Sequence, residues 1–310
     1  IMNIFTKAVH VGDRRKPGPH IPVTAPITTA SSYVYETMQQ LDDVFAAPDS
    51  GYCYARYDNP TNSGLEELVT ALENGHGTLA CSSGMAALNA AIQTALLDRP
   101  KRIVAANALY GATISLLDKL LDPFGVPTTY VDICDLGAVE RAIAETKPGC
   151  VLLETISNPL LRVGAIDRIA EMTRGAGAAL VVDNTFATPL LVRPLELGAH
   201  MVVHSATKYL AGHGDVLGGL ITSDQEHYAV LRQVSRIYGP VLGPFESYLT
   251  MRGVKTFALR MERQCANACR VASWLATNPK VGKVNFTADS AHPDAATIAR
   301  LFPKGLYGAM

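Results

Sequence analysis

Apolar residues follow two patterns that alternate along the chain from about residue 64. Apolar positions three or four apart predict helices, one opened by Ser82-Ser83-Gly84 and others at 114–121, 136–146 and 166–173. Short apolar runs predict strands at 102–105, 128–131, 150–153, 179–182, 199–203 and 219–222. Because such strands alternate with helices, the sequence predicts an α/β fold, a mostly parallel sheet with helices on both faces.

The first part of the chain departs from this alternation. Residues 1–60 show no clear periodicity and carry Pro17, Pro19, Pro22 and Pro26. We therefore expect an extended N-terminal arm that lies on another part of the protein, such as a neighbouring subunit.

The last part of the chain also changes character. After Pro244 a long helical stretch, loosened at Gly253, runs to Trp274, and a strand is predicted at 281–286. We interpret this as a linker helix and the beginning of a smaller domain that is incomplete at Met310. The predicted organisation is an arm over 1–60, a large α/β domain over 61–247 and the start of a small domain over 248–310.

Composition narrows the classes of function. The net charge of −1 and the absence of charge runs argue against a nucleic-acid partner. The sequence has no apolar run near the roughly 18 residues that cross a bilayer, and its start lacks a signal-peptide pattern. The six cysteines are scattered without a CxxC pair, so we expect free thiols, no metal site and a cytoplasmic location.

Lys208 is the first candidate for covalent chemistry. It follows the predicted strand at 199–203, and the hydroxyls of Ser205 and Thr207 precede it. An amine at the carboxyl edge of a sheet can form a Schiff base with an aldehyde, and nearby hydroxyls can hold an anion. The alternative is an ordinary solvated lysine.

Two further groups are candidates for binding a cofactor. Asp183 ends the strand at 179–182 and could be the counter-ion of a protonated heterocyclic nitrogen. The alternatives are a helix N-cap or a hydrogen bond within a loop. Gly84 and Met85 begin a helix, where free N–H groups bind anions and phosphate is the usual guest.

Aromatic and amide side chains complete the set. Tyr110 opens a helix and could stack on a planar cofactor and transfer a proton, or simply cap the helix. Asn158 follows a strand and could hydrogen-bond a ring substituent, which makes it a candidate substrate-site residue. Tyr54 and Arg56 join an aromatic ring to a phosphate-binding guanidinium. Together these groups describe a site for pyridoxal 5′-phosphate (PLP).

Several segments resemble the Cys/Met metabolism (trans-sulfuration) family of PLP enzymes. They are Tyr54-Ala55-Arg56-Tyr57-Asp58-Asn59-Pro60-Thr61, Ser82-Ser83-Gly84-Met85, Asp183-Asn184-Thr185-Phe186-Ala187-Thr188-Pro189 and His204–Asp215. The resemblance runs from about residue 8 to the end of the sequence. It implies the aspartate-aminotransferase fold (fold type I) and an activity like that of cystathionine γ-synthase, cystathionine γ-lyase, methionine γ-lyase or O-acylhomoserine sulfhydrylase.

The resemblance also implies a role for each candidate residue. Lys208 would hold PLP and move protons, Asp183 would protonate the pyridine, and Tyr110 would stack on the ring and assist the leaving group. The phosphate would be held by Ser205, Thr207, Gly84 and Met85 from the same chain. Tyr54 and Arg56 would reach the phosphate of a neighbouring subunit, which implies a homodimer with shared sites, usually paired into a homotetramer.

Departures from the family pattern bear on the small-molecule amino-acid substrate. Members that handle cystathionine tend to carry an acid immediately before the arm tyrosine, Tyr54, where this chain has Cys53. They also tend to carry an arginine five positions after the stacking tyrosine, Tyr110, where this chain has Ser115. Ala112 is more typical of sulfhydrylases, whereas Gly212-His213-Gly214-Asp215 favours the lyases. The family's substrate-carboxylate arginine would lie beyond Met310.

We therefore predict γ-elimination or γ-replacement on a homoserine-derived amino acid, as in methionine γ-lyase or O-acylhomoserine sulfhydrylase. The alternatives are cystathionine γ-synthase or γ-lyase activity, another PLP reaction on the same fold such as transamination or β-elimination, and a PLP-binding protein without activity.

Overall fold

The computed structural model describes residues 2–13, 19–47, 50–303 and 305–309. Pro17 of the predicted arm and Met310 lie outside them. In chain order the strands are β1 (Gly77–Cys81), β2 (Ile103–Ala106), β3 (Thr128–Val131), β4 (Cys150–Glu154), β5 (Ala179–Asp183), β6 (Met201–Ser205) and β7 (Gly219–Ser223). The helices before β4 are α1 (Ile4–His10), α2 (Met38–Ala46), α3 (Pro60–Glu73), α4 (Gly84–Leu96), α5 (Gly111–Leu116) and α6 (Leu136–Thr146).

The remaining helices follow β4. They are α7 (Ile166–Gly175), α8 (Thr188–Leu191), α9 (Gln225–Tyr238), α10 (Pro244–Val254), α11 (Phe257–Ala276) and α12 (Ala295–Leu301). None of the helices in the described ranges has the length and apolar character that a membrane crossing needs.

The strands form one sheet of seven in the order β1-β7-β6-β5-β4-β2-β3. Only β7 runs against its neighbours, and the other strands are parallel to one another. Strands β4 and β5 are apolar along most of their length because helices cover both faces. The predicted α/β fold is confirmed.

This topology brings the carboxyl ends of the key strands to one edge of the sheet. Glu154 and Asp183, the last residues of β4 and β5, are partners in the parallel ladder. The last residue of β6, Ser205, pairs with Gly219, which in turn pairs with Cys81 at the end of β1. Ligands of open α/β sheets bind at this edge, so the fold places a candidate site there.

The structure corrects the predicted strand at 281–286. These residues form no ladder in the described chain, because polar backbone groups at both ends are used in turns. The N–H of Val281 bonds to Asn278 O at 3.0 Å, and the carbonyl of Phe286 accepts the N–H of Asp289 at 3.0 Å. Apolar alternation alone does not make a strand without a neighbour to pair with.

The predicted long helix after Pro244 is two helices. It breaks at Lys255 and Thr256, between α10 and α11, rather than at Gly253. Gly253 is explained by packing instead. A side chain at this position would clash, because its Cβ would lie 2.1 Å from the carbonyl oxygen of Ala211. The glycine therefore allows α10 to approach the segment that follows Lys208.

The first 60 residues contain helices that the absence of periodicity did not predict. The side chains of Asn3 and Thr37 cap α1 and α2. Helix α1 packs on α3 and α11 of its own chain, and Lys7 Nζ donates to Ala71 O at 2.6 Å. Strand β1 and helix α9 were also not predicted, whereas the described boundaries of β3 and α6 match the prediction.

Candidate active site

A cavity of about 300 Å³ opens at the carboxyl edge of the sheet. Its walls combine the ends of β4, β5 and β6 with the start of α4 and the segment before α5. The lining residues are Ser83, Gly84, Met85, Tyr110, Glu154, Ile156, Asn158, Asp183, Thr185, Phe186, Ser205, Thr207, Lys208 and Leu217. The structure thus brings together all the site residues predicted from sequence except Tyr54 and Arg56.

The start of α4 offers backbone N–H groups to an anion. Ser83 caps the helix by accepting the N–H of Ala86 at 3.1 Å. Within the described chain the N–H groups of Gly84 and Met85 have no acceptor, as is usual in a first helical turn. A Cβ on Gly84 would lie 2.8 Å from that of Ser205, so only glycine lets the helix start approach the serine this closely.

The segment after β6 presents the amine and a hydroxyl. Lys208 is exposed and forms no ion pair with any described residue, so its amine is available to a ligand. The hydroxyl of Thr207 accepts the N–H of Gly218 at 3.0 Å, which orients it. The N–H of Lys208 bonds to Ser205 O at 3.2 Å in the turn that leads from the strand.

Asp183 is the last residue of β5 and lines the cavity. Its Oδ1 accepts the N–H of Thr185 at 3.0 Å and the hydroxyl of Thr185 at 2.6 Å. Burial raises the pKa of Asp183 above its ordinary value, although the Thr185 hydrogen bonds oppose this. A cation placed against this carboxyl would be stabilised, as a protonated ring nitrogen would be.

Glu154 is a site residue that was not predicted from sequence. Its Oε1 accepts the N–H of Tyr110 at 2.6 Å, and its Oε2 accepts the N–H of Asn158 at 2.8 Å. Burial, then the neighbouring Asp183, raise the pKa of Glu154 to about 8. The same signal that selected Asp183, a carboxylate that ends an apolar strand, could have found it.

Tyr110 directly precedes α5, and its side chain is 50% exposed. The phenol ring borders the cavity, so a planar ligand can contact its face. Asn158 borders the cavity from the loop after β4, and the Asn158–Pro159 peptide bond is cis.

Tyr54 and Arg56 lie away from this cavity. The guanidinium of Arg56 lies 5.4 Å from the centre of the Tyr54 ring and donates to the carbonyl of Arg236 on α9. Tyr54 is exposed, and its backbone bridges to Ser32 within the first part of the chain. In a single chain these residues do not reach the site, and their predicted role toward a neighbouring subunit stays a prediction.

A buried polar network lies behind the strand ends. His204 Nε2 lies 2.5 Å from Glu73 Oε1, and neither side chain is more than 1% exposed. Asn184 donates to the same Glu73 oxygen at 3.1 Å and accepts the hydroxyl of Thr155 at 2.8 Å. Because His204 precedes Ser205 and Asn184 follows Asp183, the network connects the end of α3 to two strands that form the site.

The donor set fits PLP and does not fit a metal ion. Lys208 suits the aldehyde, Asp183 the ring nitrogen, and the start of α4 with Ser205 the phosphate. Among the described residues, no group of three or more His, Cys, Asp or Glu side chains could hold a metal. The cysteines are all free, and burial raises the pKa of the Cys150 thiol to about 12.

Comparison with known proteins identifies the family to which the chain is similar. The family of Cys/Met metabolism PLP-dependent enzymes matches residues 5–307. L-methionine gamma-lyase of Fusobacterium nucleatum is 39% identical over 291 residues, which cover 93% of this chain and 73% of the relative. Cystathionine gamma-synthase of Mycobacterium tuberculosis is 40% identical over 296 residues, which cover 95% of this chain and 74% of the relative.

A solved structure agrees in fold over nearly the whole chain. The cystathionine gamma-lyase of Lactobacillus plantarum, crystallised with L-serine, superposes with a TM-score of 0.91 at 34% identity. The match covers 99% of this chain and 77% of that chain.

Proposed function

Because the chain belongs to the Cys/Met metabolism family and is a PLP-dependent trans-sulfuration enzyme, we propose that it eliminates or replaces the γ-substituent of a homoserine-derived amino acid. The proposal favours activity like that of methionine γ-lyase or O-acylhomoserine sulfhydrylase. The observation that carries this choice is that Cys53 and Ser115 stand where members of the family that handle cystathionine tend to carry an acid and an arginine.

The residues predicted to bind PLP each have a proposed part in holding the cofactor. Lys208 binds the aldehyde through Nζ, and Asp183 keeps the proton on the ring nitrogen. The N–H groups of Gly84 and Met85 and the hydroxyls of Ser205 and Thr207 bind the phosphate. Tyr110 stacks on the ring. Tyr54 and Arg56 bind the same phosphate from a neighbouring subunit.

The chemistry needs protons to move at three positions of the substrate. PLP, when bound, supplies an electron sink for the electron pair left at the substrate's Cα. Freed from the aldehyde when the substrate's amine takes its place, Lys208 Nζ would accept the Cα proton and, after releasing it, would accept a proton from Cβ. The Tyr110 phenol gives a proton to the departing γ-group. Asn158, at the cavity wall, orients the substrate.

The character of the cavity wall supports an uncharged γ-substituent. Met85, Ile156, Phe186 and Leu217 contribute apolar surface, and Lys208 is the single cationic side chain that the described chain contributes. A methylthio or acyl group is compatible with apolar surface, whereas the distal ammonium and carboxylate of cystathionine need charged partners.

A cystathionine γ-synthase or γ-lyase activity is the second candidate, and the identity to the Mycobacterium tuberculosis synthase favours it. A direct comparison separates the candidates. Purified protein is given O-acylhomoserines with sulfide or with cysteine, L-methionine, cystathionine, or a β-substituted amino acid. Release of 2-oxobutanoate measures γ-elimination, and formation of homocysteine or cystathionine measures γ-replacement. We expect kcat/KM for cystathionine to be the lowest. Turnover of β-substituted amino acids alone would overturn the proposal.

The result also distinguishes an inactive PLP-binding protein. If borohydride fixes the cofactor on Lys208 and no substrate changes the visible spectrum, the protein binds PLP without turnover, and the proposed activity is wrong.

Two substitutions test the missing charges. Cys53→Glu combined with Ser115→Arg should raise kcat/KM for cystathionine by about tenfold, because each charge gains an opposite partner on the substrate. Cys53→Gln with Ser115→Gln is the matched control, with similar size and no charge. Equal gains in both pairs would show that charge is not the cause.

We also propose the organisation predicted from the sequence. Residues 1–60 form an arm toward a neighbouring subunit, residues 61–247 form the PLP-binding domain, and residues 248–310 belong to a small domain. The exposed Tyr54 supports a homodimer with shared sites, and two such dimers form a homotetramer. A cytoplasmic location stays a prediction.

A further inference from the structure

One carboxylate holds two separate parts of the cavity wall. Glu154 ends β4, is 7% exposed, and uses one oxygen for the N–H of Tyr110 and the other for the N–H of Asn158. Tyr110 lies 44 positions before Glu154 in the sequence, and Asn158 lies 4 positions after it. Both lie in loops, so neither N–H has a partner from a sheet ladder or a helical turn.

Glu154 provides the hydrogen bond that joins the Tyr110 backbone to β4. The carbonyl of Tyr110 accepts N–H groups of Thr113 and Ile114 at 2.9 and 3.2 Å, which joins it only to the first turn of α5. No side chain caps that helix. Within the described chain, Glu154 is the acceptor that ties the Tyr110 backbone to β4. This contact therefore fixes the backbone from which the half-exposed ring projects.

We propose that Glu154 is a positioning residue that holds the Tyr110 ring and the Asn158 loop in place at bound PLP. The inference rests on the proposed stacking of Tyr110 on the cofactor. Glu154 acts through the backbone of these residues and takes no part in the chemistry itself.

The ionised form of Glu154 is the one that fits this geometry. A carboxylate has acceptor oxygens on both sides, whereas glutamine of the same shape would point an NH₂ group at one of the N–H donors. Burial and Asp183 raise the pKa of Glu154, and the two N–H bonds lower it. When PLP is bound, its protonated ring nitrogen would offset the negative charge of Asp183. The repulsion between Asp183 and Glu154 is then weaker, which favours the ionised form of Glu154.

The test is a double-mutant cycle on cofactor binding. PLP is titrated into cofactor-free protein without substrate for the wild type, Glu154→Gln, Tyr110→Ala and the double variant. We expect Glu154→Gln to weaken PLP binding about tenfold, because a donor loses its acceptor. Added to Tyr110→Ala, it should weaken binding by less than about twofold, since the ring it positions is already gone.

The visible circular dichroism of bound PLP supplies a second readout. We expect the band of Glu154→Gln to change in the same sense as that of Tyr110→Ala, because both alter the ring that contacts the cofactor. Glu73→Gln is the matched control, a buried carboxylate with no contact to Tyr110. Its effect on PLP binding should add fully to that of Tyr110→Ala.

The outcomes separate this inference from the proposals on which it rests. Additive effects of Glu154→Gln and Tyr110→Ala would overturn the positioning role. An unchanged affinity and dichroism in Tyr110→Ala would overturn the stacking itself, and the inference with it. Neither result bears on the identity of the γ-substituent, because no substrate is present. If Glu154→Gln does not fold, Glu154→Asp, which keeps the charge on a shorter side chain, replaces it in the same cycle.

Discussion

At the scale of single residues, the site is defined by carboxylates that end buried strands. Asp183 and Glu154 are neighbours in the ladder between β4 and β5. Two acids side by side at a sheet edge are unfavourable when both are ionised, so each raises the cost of ionising the other. The sequence analysis selected Asp183 at a strand end and missed Glu154, and it did not show that the two strand ends are adjacent.

The raised pKa of Glu154 predicts how stability depends on pH. Between its ordinary value of 4.5 and the folded value of about 8, the folded chain binds a proton that the unfolded chain has lost. The free energy of unfolding of the cofactor-free protein should therefore fall as pH rises through this window, by up to about 1.4 kcal/mol per pH unit. Urea unfolding at several pH values measures it.

Glu154→Gln is the comparison for this measurement. It removes the titrating group, so the fall between about pH 5 and pH 8 should become shallower than in the wild type. An identical slope in both proteins would mean that Glu154 has an ordinary pKa in the folded chain.

At the scale of elements, helix α4 supplies the proposed phosphate site, and its first turn depends on Ser83. The sequence predicted this helix start correctly because a capping serine, a glycine and helical spacing coincide. The same rules failed in the first 60 residues. There the helices are short, and contacts with α3 and α11 stabilise α1.

Two helix caps, Ser83 at the cavity and Asp135 away from it, allow effects on stability to be separated from effects on cofactor binding. Ser83→Ala and Asp135→Ala should each lower the free energy of unfolding by about 1 kcal/mol, because each leaves a first-turn N–H without its acceptor. Only Ser83→Ala should also weaken PLP binding, since α6 does not border the cavity. Thermal unfolding and PLP titration measure the two effects.

The PLP affinity of Asp135→Ala shows whether the loss in Ser83→Ala is specific to α4. If Asp135→Ala weakened PLP binding as much as Ser83→Ala, the loss would come from general destabilisation rather than from the start of α4.

At the scale of the whole molecule, the Glu73, His204 and Asn184 network joins α3 to β5 and β6 inside the core. Within the described chain Glu73 Oε2 and His204 Nδ1 have no partner, so the Glu73–His204 contact is the main compensation for burying both groups. Nothing in the sequence indicated that these distant residues meet.

Glu73→Ala should therefore be strongly destabilising. We expect a loss of about 3–5 kcal/mol in the free energy of unfolding, because His204 and Asn184 keep their buried polar atoms and lose the acceptor. Urea unfolding measures the loss, and Glu140→Ala on the exposed face of α6 is the control, with a change of about 0.5 kcal/mol or less. A small effect at Glu73 would show that water or a shifted side chain replaces its carboxylate.

The proposed sharing of active sites predicts complementation between inactive chains. On that proposal Arg56→Ala removes a contribution to the neighbour's cavity, and Lys208→Ala disables the chain's own cavity. Refolding the two variants together in equal amounts should restore roughly a quarter of the wild-type activity, because half of the dimers are mixed and each has one intact site.

The control for complementation mixes Lys208→Ala with Asp183→Ala. Both residues line the same cavity of one chain, so no mixed dimer has an intact site and activity should stay absent. Recovery in that control, or none in the first mixture, would contradict a site shared in the proposed way.

The sequence by itself determined the α/β class, the strand ends that carry chemistry, and the residues of the Lys208 and Asp183 segments. It could do so because apolar periodicity and local motifs are properties of neighbouring residues. Only the tertiary structure decided that Glu154 joins Tyr110 to Asn158, that Glu73 meets His204, and that Tyr54 and Arg56 lie away from the cavity of their own chain. These relations depend on strand order and packing, which bring together residues that the sequence separates.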